Sequence, residues 1–119
     1  MKVSQARADA GSDPMRDDCP GRELFQLVTN RWTLLVLWAL KDGELRFYQL
    51  RDSIEGISER MLSESLKALG AKGLLERRVE PSIPPKVSYS LTEPGRELLV
   101  VMEALTAWIA RRVRFEMAG

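Results

Sequence analysis

The sequence has no histidine, and Cys19 is the single cysteine among its 119 residues. Histidine is the usual general base and the commonest zinc ligand, and one cysteine forms neither an intrachain disulfide nor a thiolate cage for a metal. These absences argue against a zinc enzyme and against a hydrolase built on a serine–histidine–aspartate triad. We therefore expect a protein that is not an enzyme and that uses no metal and no other cofactor.

Long apolar runs and a strong net charge are missing as well. No apolar segment approaches the roughly 20 residues that a membrane span needs, and residues 1–18 are polar and charged, unlike a signal peptide. We therefore expect a cytoplasmic protein with no membrane partner. The formal net charge is +1, so binding to nucleic acid would depend on how the 18 lysines and arginines are arranged locally.

The chain divides into a tail and one domain. Residues 1–17 are rich in alanine, aspartate, serine and glycine and lack periodicity, which predicts a flexible N-terminal tail. Residues 18–119 carry successive helix and strand signals and have the size of one domain. Four segments in this domain show helical signals, and they begin near Pro20, Arg31, Phe47 and Ser58.

A β-hairpin is predicted directly after the fourth helix. Leu74–Val79 and residues 87–91 read as strands, and the turn between them contains three prolines. Thr92 then caps a last helix that runs to about Phe115. Two helices joined by a short turn and followed by a hairpin predict a mainly α fold with a small β-hairpin, the winged helix-turn-helix.

The exposed side of the fourth helix is the predicted DNA-reading surface. Its leucines repeat at spacings of four and three, and the opposite side carries Arg60, Glu64 and Lys67, with Ser63 at the margin. Arg60 can pair with a guanine edge, while Ser63 and Lys67 can contact a base or a phosphate. The helix N-terminus at Ser58 can hold a phosphate. Glu64 favours another interpretation, an ordinary solvated face, and this helix alone leaves both open.

The predicted wing adds cations beside that helix. Arg77, Arg78 and Lys86 lie on or next to the hairpin, and Arg46 precedes the third helix, where it can touch the DNA backbone. Together they line one side of the motif, as neutralisation of phosphates requires. The prolines of the turn stiffen its tip and reduce the entropy lost on docking in a minor groove, although prolines also simply protect an exposed strand edge.

The last helix is apolar over an arc that is too wide for one contact face. Its apolar positions are Leu98 to Met102, Leu105, Trp108, Ile109 and Val113. Such a helix predicts two partners, its own domain and a second subunit, with complete burial in one domain as the alternative. A two-fold dimer would set two recognition helices roughly 34 Å apart on one face of DNA. Trp32, Trp38 and Trp108 are expected to pack in the core rather than to line a ligand pocket.

Cys19 is the only residue that can carry thiol redox chemistry. It stands at the start of the first helix, and Arg16 and Arg22 are near in sequence, which favours a reactive thiolate. Asp17 and Asp18 oppose that effect. The local sequence leaves a redox sensor and an inert thiol as open alternatives.

Several segments form a pattern that can be compared with known families. They are Cys19–Pro20, Arg31–Trp32 with the following TLLVLWAL, Arg46–Phe47, GISERML at 56–62 with Leu66, Leu69, Gly73 and Leu74, and PPKVSYSLT at 84–92 with Gly95. From residue 19 to about 110 this pattern resembles the HxlR-type winged helix-turn-helix transcriptional regulators, relatives of the MarR regulators. The chain departs from it mildly at Asn30–Arg31, where the family usually has Gly-Lys before the tryptophan.

The resemblance implies a homodimer built from the first and last helices, with the fourth helix in the major groove and the hairpin as a wing. It also implies that Cys19 matches a cysteine with which several members sense oxidants or electrophiles. We therefore expect a repressor that binds a palindromic operator in double-stranded DNA and responds to a redox or small-molecule effector. The predicted DNA-contacting residues are Arg46, Ser58, Arg60, Met61, Ser63, Lys67, Arg77 and Lys86.

Two other functions compete with this one. A winged-helix module that binds protein and not DNA would fit Glu64 and the low net charge. A thiol enzyme based on Cys19 ranks last, because the chain lacks both a histidine partner and a second cysteine to resolve an intermediate.

Overall fold

The computed structural model describes Asp13 and residues 15–118. Most of the predicted N-terminal tail, residues 1–12 and 14, therefore lies outside the described residues. In the described part the helices are α1 Pro20–Val28, α2 Arg31–Ala39, α3 Phe47–Ser53, α4 Glu59–Ala71 and α5 Glu93–Ala118, and the strands are β1 Leu45–Arg46, β2 Leu75–Glu80 and β3 Lys86–Leu91. No helix in this part of the chain has both the length and the apolar character to cross a membrane.

The predicted hairpin is present and carries a third strand. The strands form one antiparallel sheet in the order β1-β3-β2. β2 pairs with β3 from Leu75 opposite Leu91 to Glu80 opposite Lys86, which confirms the wing within one residue at each end. β1 was not predicted, because two residues are too few to show alternation, and the strand exists only through its pairing with β3.

The core lies where the apolar second helix and the leucine stripe of the fourth helix meet. Val36, Leu37 and Leu40 of α2 and its cap are fully buried. They pack in one cluster with the predicted stripe of α4, Leu62, Leu66 and Leu69, and with residues of the sheet and the first part of α5. The sequence prediction that α2 forms the buried centre is therefore confirmed, and α4 has only one side left for other contacts.

Local bonds fix the turn between α3 and α4. Gly56 has φ 89°, a conformation that residues with a side chain rarely adopt. The Ser58 hydroxyl accepts a hydrogen bond from the Met61 amide at 3.1 Å and so caps α4 as predicted. Arg51 donates to Glu59 at 2.9 Å and to Asp52 at 3.2 Å, and these bonds raise the pKa of the Arg51 guanidinium. The ion pair with Glu59 ties α3 to the first turn of α4.

The start of α5 is locked against the turn that follows α4. Thr92 donates its hydroxyl hydrogen to the Gly73 carbonyl and accepts a bond from the Gly95 amide at 3.2 Å, as a helix cap does. A Cβ atom at Gly95 would lie 2.0 Å from the Leu74 carbonyl oxygen, so only glycine fits there without a shift. α5 therefore leaves the domain in a fixed direction.

Only the first part of α5 belongs to the core. The buried residues of its 26 are Gly95, Leu99 and Met102. At 1.5 Å per residue the helix is about 39 Å long, so more than half of it extends past its last buried position. Trp108 lies in that extension and is 53% exposed, which corrects the expectation that it packs in the core. Trp32 and Trp38 are partly buried against the core, as expected.

Candidate nucleic-acid interface

The outer side of α4 presents charged side chains to solvent. The Arg60 side chain is 86% exposed and its Nε lies 3.1 Å from an oxygen of Glu64, which is one turn further along the helix. Lys67 is exposed, and Ser63 is half-buried at the margin, as the helical spacing predicts. Glu64, whose charge favours the alternative of a solvated face, is therefore the ion-pair partner of Arg60, the residue predicted to read a guanine.

The structure brings three of the predicted contact residues together in one groove. Ser63 and Lys67 of α4 and Arg77 of β2 line a cavity of about 600 Å³ between the helix and the wing, which we term the α4–wing groove. Leu66, Leu75, Glu76 and Tyr89 also line it. Within the described part of the chain, neither Lys67 nor Arg77 forms an ion pair. Both cations are thus available to an anionic ligand.

A second groove lies on the other side of the wing. Arg46, Arg78 and Lys86 line it, together with Glu44, which precedes β1, and with residues of β1, α3 and the hairpin that include Glu80. Neighbouring residues of a strand point to opposite faces, so Arg77 and Arg78 separate into different grooves. Arg78 is held 3.1 Å from Glu44. This second groove, the β1–wing groove, therefore offers the cations of Arg46 and Lys86.

Arg46 is positioned by the start of α3. Its backbone amide donates to the Gln49 side-chain oxygen at 2.8 Å, and its guanidinium carbon lies 5.5 Å from the centre of the Tyr48 ring. The first bond fixes the backbone and the second contact restrains the side chain over the ring. A restrained cation at this position loses little entropy when it meets a phosphate.

Ser58 and Met61 lie away from the two grooves. The Ser58 oxygen is already engaged by the Met61 amide, so a phosphate at this end of α4 would meet only the remaining backbone amides. Met61 is half-buried, packs against the core and lines a cleft with Gln26 and Asn30. Contacts from these two residues to DNA stay predictions.

The tip of the wing contains an exposed apolar residue that the sequence reading missed. Ile83 lies between the paired strand ends and has a relative exposure of 103%. The Ser82 hydroxyl donates to the Pro84 carbonyl at 2.7 Å, which helps to define the loop. An isoleucine inside a proline-rich turn was the available signal, because an apolar residue there has no strand neighbour to pack against. Apolar side chains at such tips can enter a minor groove.

Cys19 is in the described part of the chain and is 7% exposed. It caps α1, and its Sγ accepts a hydrogen bond from the Gly21 amide at 3.2 Å. Arg16, one of the two arginines expected to favour the thiolate, instead lies 3.1 Å from Asp18, and this hydrogen bond lowers the pKa of the Asp18 carboxyl. Over the same described residues, no group of three acidic, cysteine or histidine side chains is arranged to hold a metal ion.

A separate apolar surface extends along α5. It consists of Val101, Leu105, Trp108, Ile109 and Val113, all exposed, and we call it the α5 apolar surface. Ile109 and Val113 follow Met102 at helical spacing, so the stripe that is buried at Met102 continues beyond the domain. Leu24 and Phe25 of α1 are exposed apolar residues as well.

Comparisons with known proteins agree on one class of protein, the helix-turn-helix transcriptional regulators. Residues 27–117 match the HxlR-like helix-turn-helix family. The chain is 46% identical over 93 residues to YtfH of Escherichia coli K12, named as an HTH-type transcriptional regulator, a match that covers 78% of this chain and 74% of that protein. The fold matches ytfH of Salmonella typhimurium, also named as a transcriptional regulator, with a TM-score of 0.80 at 42% identity over 89% of this chain and 95% of that one.

Another similar protein has structures in a reduced form and in a diamide-treated form. The reduced form of the transcriptional regulator YodB from Bacillus subtilis matches with a TM-score of 0.66 at 39% identity, over 75% of this chain and 87% of that one. The diamide-treated form of YodB matches with a TM-score of 0.67 at 38% identity, over 77% of this chain and 91% of that one.

Proposed function

We propose, from the premise that this chain belongs to the HxlR-like helix-turn-helix family of transcriptional regulators, that it represses transcription from a palindromic operator as a homodimer. In this proposal it acts in the cytoplasm on double-stranded DNA. The observation that carries the proposal is the α4–wing groove, where Ser63 and Lys67 of the helix and Arg77 of the wing line one space. A recognition helix and a wing that offer cations to the same space suit the phosphate backbone of a duplex.

Six of the eight predicted contacts have a role in this arrangement. Arg60, near the N-terminus of α4, would enter the major groove and read a guanine, while Ser63 and Lys67 contact a base edge or the backbone. Arg77 and the two cations of the β1–wing groove, Arg46 and Lys86, would neutralise phosphates on either side of the wing. Bound at a promoter, such a protein would exclude RNA polymerase, which is the basis for proposing a repressor.

The proposed homodimer rests on the α5 apolar surface. Monomeric proteins rarely expose contiguous apolar surface on a helix that extends past its own domain. A second copy that packs against this surface, together with Leu24 and Phe25 of α1, would cover it. The two-fold axis of such a dimer would require an operator with matching inverted half-sites, one helical turn or a multiple apart.

The direct test is DNA binding by the Arg60→Glu variant. Wild-type protein should bind a genomic fragment with an affinity that falls steeply with salt, and Arg60→Glu should weaken specific binding on the order of 100-fold or more, because two guanine contacts are lost and two repulsions are gained. Fluorescence anisotropy with a labelled duplex measures this, and circular dichroism checks the fold. Arg60 is exposed, so the fold should be intact.

Arg96→Glu is the matched control. Arg96 is exposed and follows Gly95, which contacts Leu74 beyond the C-terminal end of α4, about 16 Å or more from Arg60 along the helix. This charge reversal should leave operator affinity within a few-fold of wild type. Equal weakening by both variants would show that only overall charge matters. If wild-type protein binds no genomic fragment at any salt concentration, the regulator proposal fails and the protein-binding module is favoured.

We also propose that Cys19 receives an oxidative signal. The support is the similarity to YodB, whose structure has been obtained in reduced and diamide-treated forms, and the position of the thiol as the cap of α1. Diamide removes two electrons and two protons from two thiols as they form a disulfide. Because the chain has one cysteine, the second thiol must come from another protomer or from a small thiol. Either product changes the sulfur that accepts the Gly21 amide bond and so disturbs the start of α1.

Mass spectrometry and a non-reducing gel after diamide treatment test this step. We expect a Cys19–Cys19 dimer or a mixed disulfide, accompanied by a change in operator affinity of at least several-fold. Cys19→Ser keeps a capping oxygen and should bind DNA normally but ignore diamide. An unmodified thiol, or an affinity change that persists in Cys19→Ser, would refute the sensing role, while the proposal that the protein binds DNA would stand.

A further inference from the structure

An acidic residue lies in the centre of the surface that would face DNA. Glu64 is on the outer side of α4, its side chain is 58% exposed, and its Oε2 accepts a hydrogen bond from Arg60 Nε at 3.1 Å. A carboxylate there repels phosphates and lowers affinity for any DNA sequence. Its presence on this surface therefore needs a physical reason.

Helix stability supplies little of that reason. Arg60 is the second residue of α4, and a cation in the first turn opposes the helix dipole. A pair with the cation N-terminal to the acid is the weaker of the two orders for residues four apart on a helix. Both side chains are mostly exposed, so water and salt screen their attraction. The first-turn acid that suits the dipole, Glu59, is engaged by Arg51.

The hydrogen bond constrains how Arg60 can meet a base. A guanidinium has five N–H donors in a fixed planar fork, and Glu64 engages the one on Nε. The donors on the two terminal nitrogens, Nη1 and Nη2, lie at the outer end of the fork. Guanine presents two acceptors in the major groove, O6 and N7, which this pair of terminal nitrogens can match.

We propose that Glu64 is a positioning residue that holds Arg60 in the orientation for bidentate recognition of one guanine in each operator half-site. The inference rests on the proposed DNA-binding function and deepens it. Glu64 contributes specificity in two ways. It restricts the rotamers of Arg60 before DNA binds, which reduces the entropy lost in the specific complex. It also places a negative charge that penalises complexes in which Arg60 has turned to a phosphate, so non-specific DNA is disfavoured.

The test separates orientation from charge with two substitutions at one position. Glu64→Ala removes both the acceptor and the charge, whereas Glu64→Gln removes the charge and keeps an oxygen that can accept from Arg60 Nε. Each variant and the wild type select binders from a random duplex library, and sequencing gives the base preference at every position. Affinity for an unrelated duplex is measured in parallel. Glu97→Gln on α5, exposed and outside any ion pair in the described residues, is the charge-matched control.

We expect Glu64→Ala to lower the preference for guanine at one position of each half-site about tenfold, part of the discrimination that one bidentate contact provides. Glu64→Gln should restore most of that preference. Both variants should bind unrelated DNA several-fold more tightly than wild type, and Glu97→Gln should change neither quantity.

Three results would overturn the inference. An unchanged guanine preference in Glu64→Ala, with tighter binding to all sequences, would make Glu64 only a repulsive charge. Loss of the preference in both variants, without recovery by glutamine, would attribute the effect to charge and not to orientation. If the wild-type protein itself enriches no sequence, the DNA-binding proposal fails first and this inference fails with it.

Discussion

α4 and α5 both bury apolar side chains in the core, but their exposed sides differ in chemistry: that of α4 is charged and that of α5 is apolar. Each helix places leucine or methionine residues in the same core cluster. On the remaining surface, α4 carries Arg60, Glu64 and Lys67, whereas α5 carries Leu105, Trp108 and Ile109 among its exposed residues. One charged surface and one apolar surface on two helices of the same domain indicate partners of different chemistry.

In the proposed dimer the two surfaces would act together. A charged helix face is stable in water and stays available to a polyanion. An apolar face of this length is stabilised only when another apolar surface covers it. If two copies associate through α5, their α4 helices acquire a fixed spacing, because Gly95 and Thr92 lock the direction in which α5 leaves the domain. The apolar surface would then set the geometry in which the charged surface reads DNA.

The largest expected effect comes from a substitution in the α5 apolar surface. Trp108→Ala truncates an exposed aromatic residue at the centre of the α5 apolar surface, and in a two-fold dimer the loss occurs twice. At about 2 kcal/mol for each buried aromatic anchor, the dimer dissociation constant should rise on the order of 1,000-fold. Sedimentation equilibrium measures it, and operator affinity should fall with it because half-site binding becomes independent.

Glu103→Ala provides the comparison on the same helix. Glu103 is exposed and polar, and its truncation should leave the dimer constant nearly unchanged. A wild-type protein that stays monomeric at micromolar concentration, or a Trp108→Ala variant that dimerises as tightly as wild type, would contradict the role given to α5. In that case the apolar surface would need a different partner.

Much of the fold followed from short-range patterns. The leucines of α4 repeat at helical spacing, residues 87–91 alternate between apolar and polar after a proline-rich turn, and Ser58 and Thr92 cap their helices where local sequence predicts caps. These features need only neighbours a few residues away, so they are visible in one sequence. The two-sided character of α5 is visible in the sequence as well. The prediction that Trp108 packs in the core is wrong, because the exposure of this residue depends on where the domain ends.

The unpredicted features depend on partners far apart in the chain. β1 exists because Leu45 pairs with Tyr89, and Arg78 is neutralised by Glu44, 34 residues away. Composition and periodicity do not reveal such pairs. The Arg60–Glu64 bond is local, yet the sequence alone showed only two opposite charges four residues apart and not which nitrogen of the guanidinium would be engaged. The candidate site was thus predicted as residue identities, without the pairings that decide which cations are available.

The smallest expected effect comes from removing one cation from the charged outer side of α4. Lys67 lies in the α4–wing groove and forms no ion pair within the described residues, so we expect it to neutralise a phosphate. Lys67→Ala should reduce the steepness of the logarithmic salt dependence of binding by about two for a dimer, with a loss of affinity that is similar for all sequences. Titrations of operator and unrelated duplexes at four salt concentrations measure both quantities, and sedimentation should show an unchanged dimer.

Lys72→Ala is the matched control for this prediction, because it removes the same kind of side chain from the C-terminal cap of the same helix. Lys72 donates to Glu23 of α1 at 2.8 Å, a bond that lowers the pKa of the Glu23 carboxyl. Its charge is therefore already used within the protein, and its removal should not alter the salt dependence of DNA binding. If Lys67→Ala changed base preference instead of the salt dependence, Lys67 would read a base and not a phosphate. If both lysine variants changed the salt dependence equally, binding would respond to net charge alone. The charged outer side of α4 would then have no special role in DNA recognition.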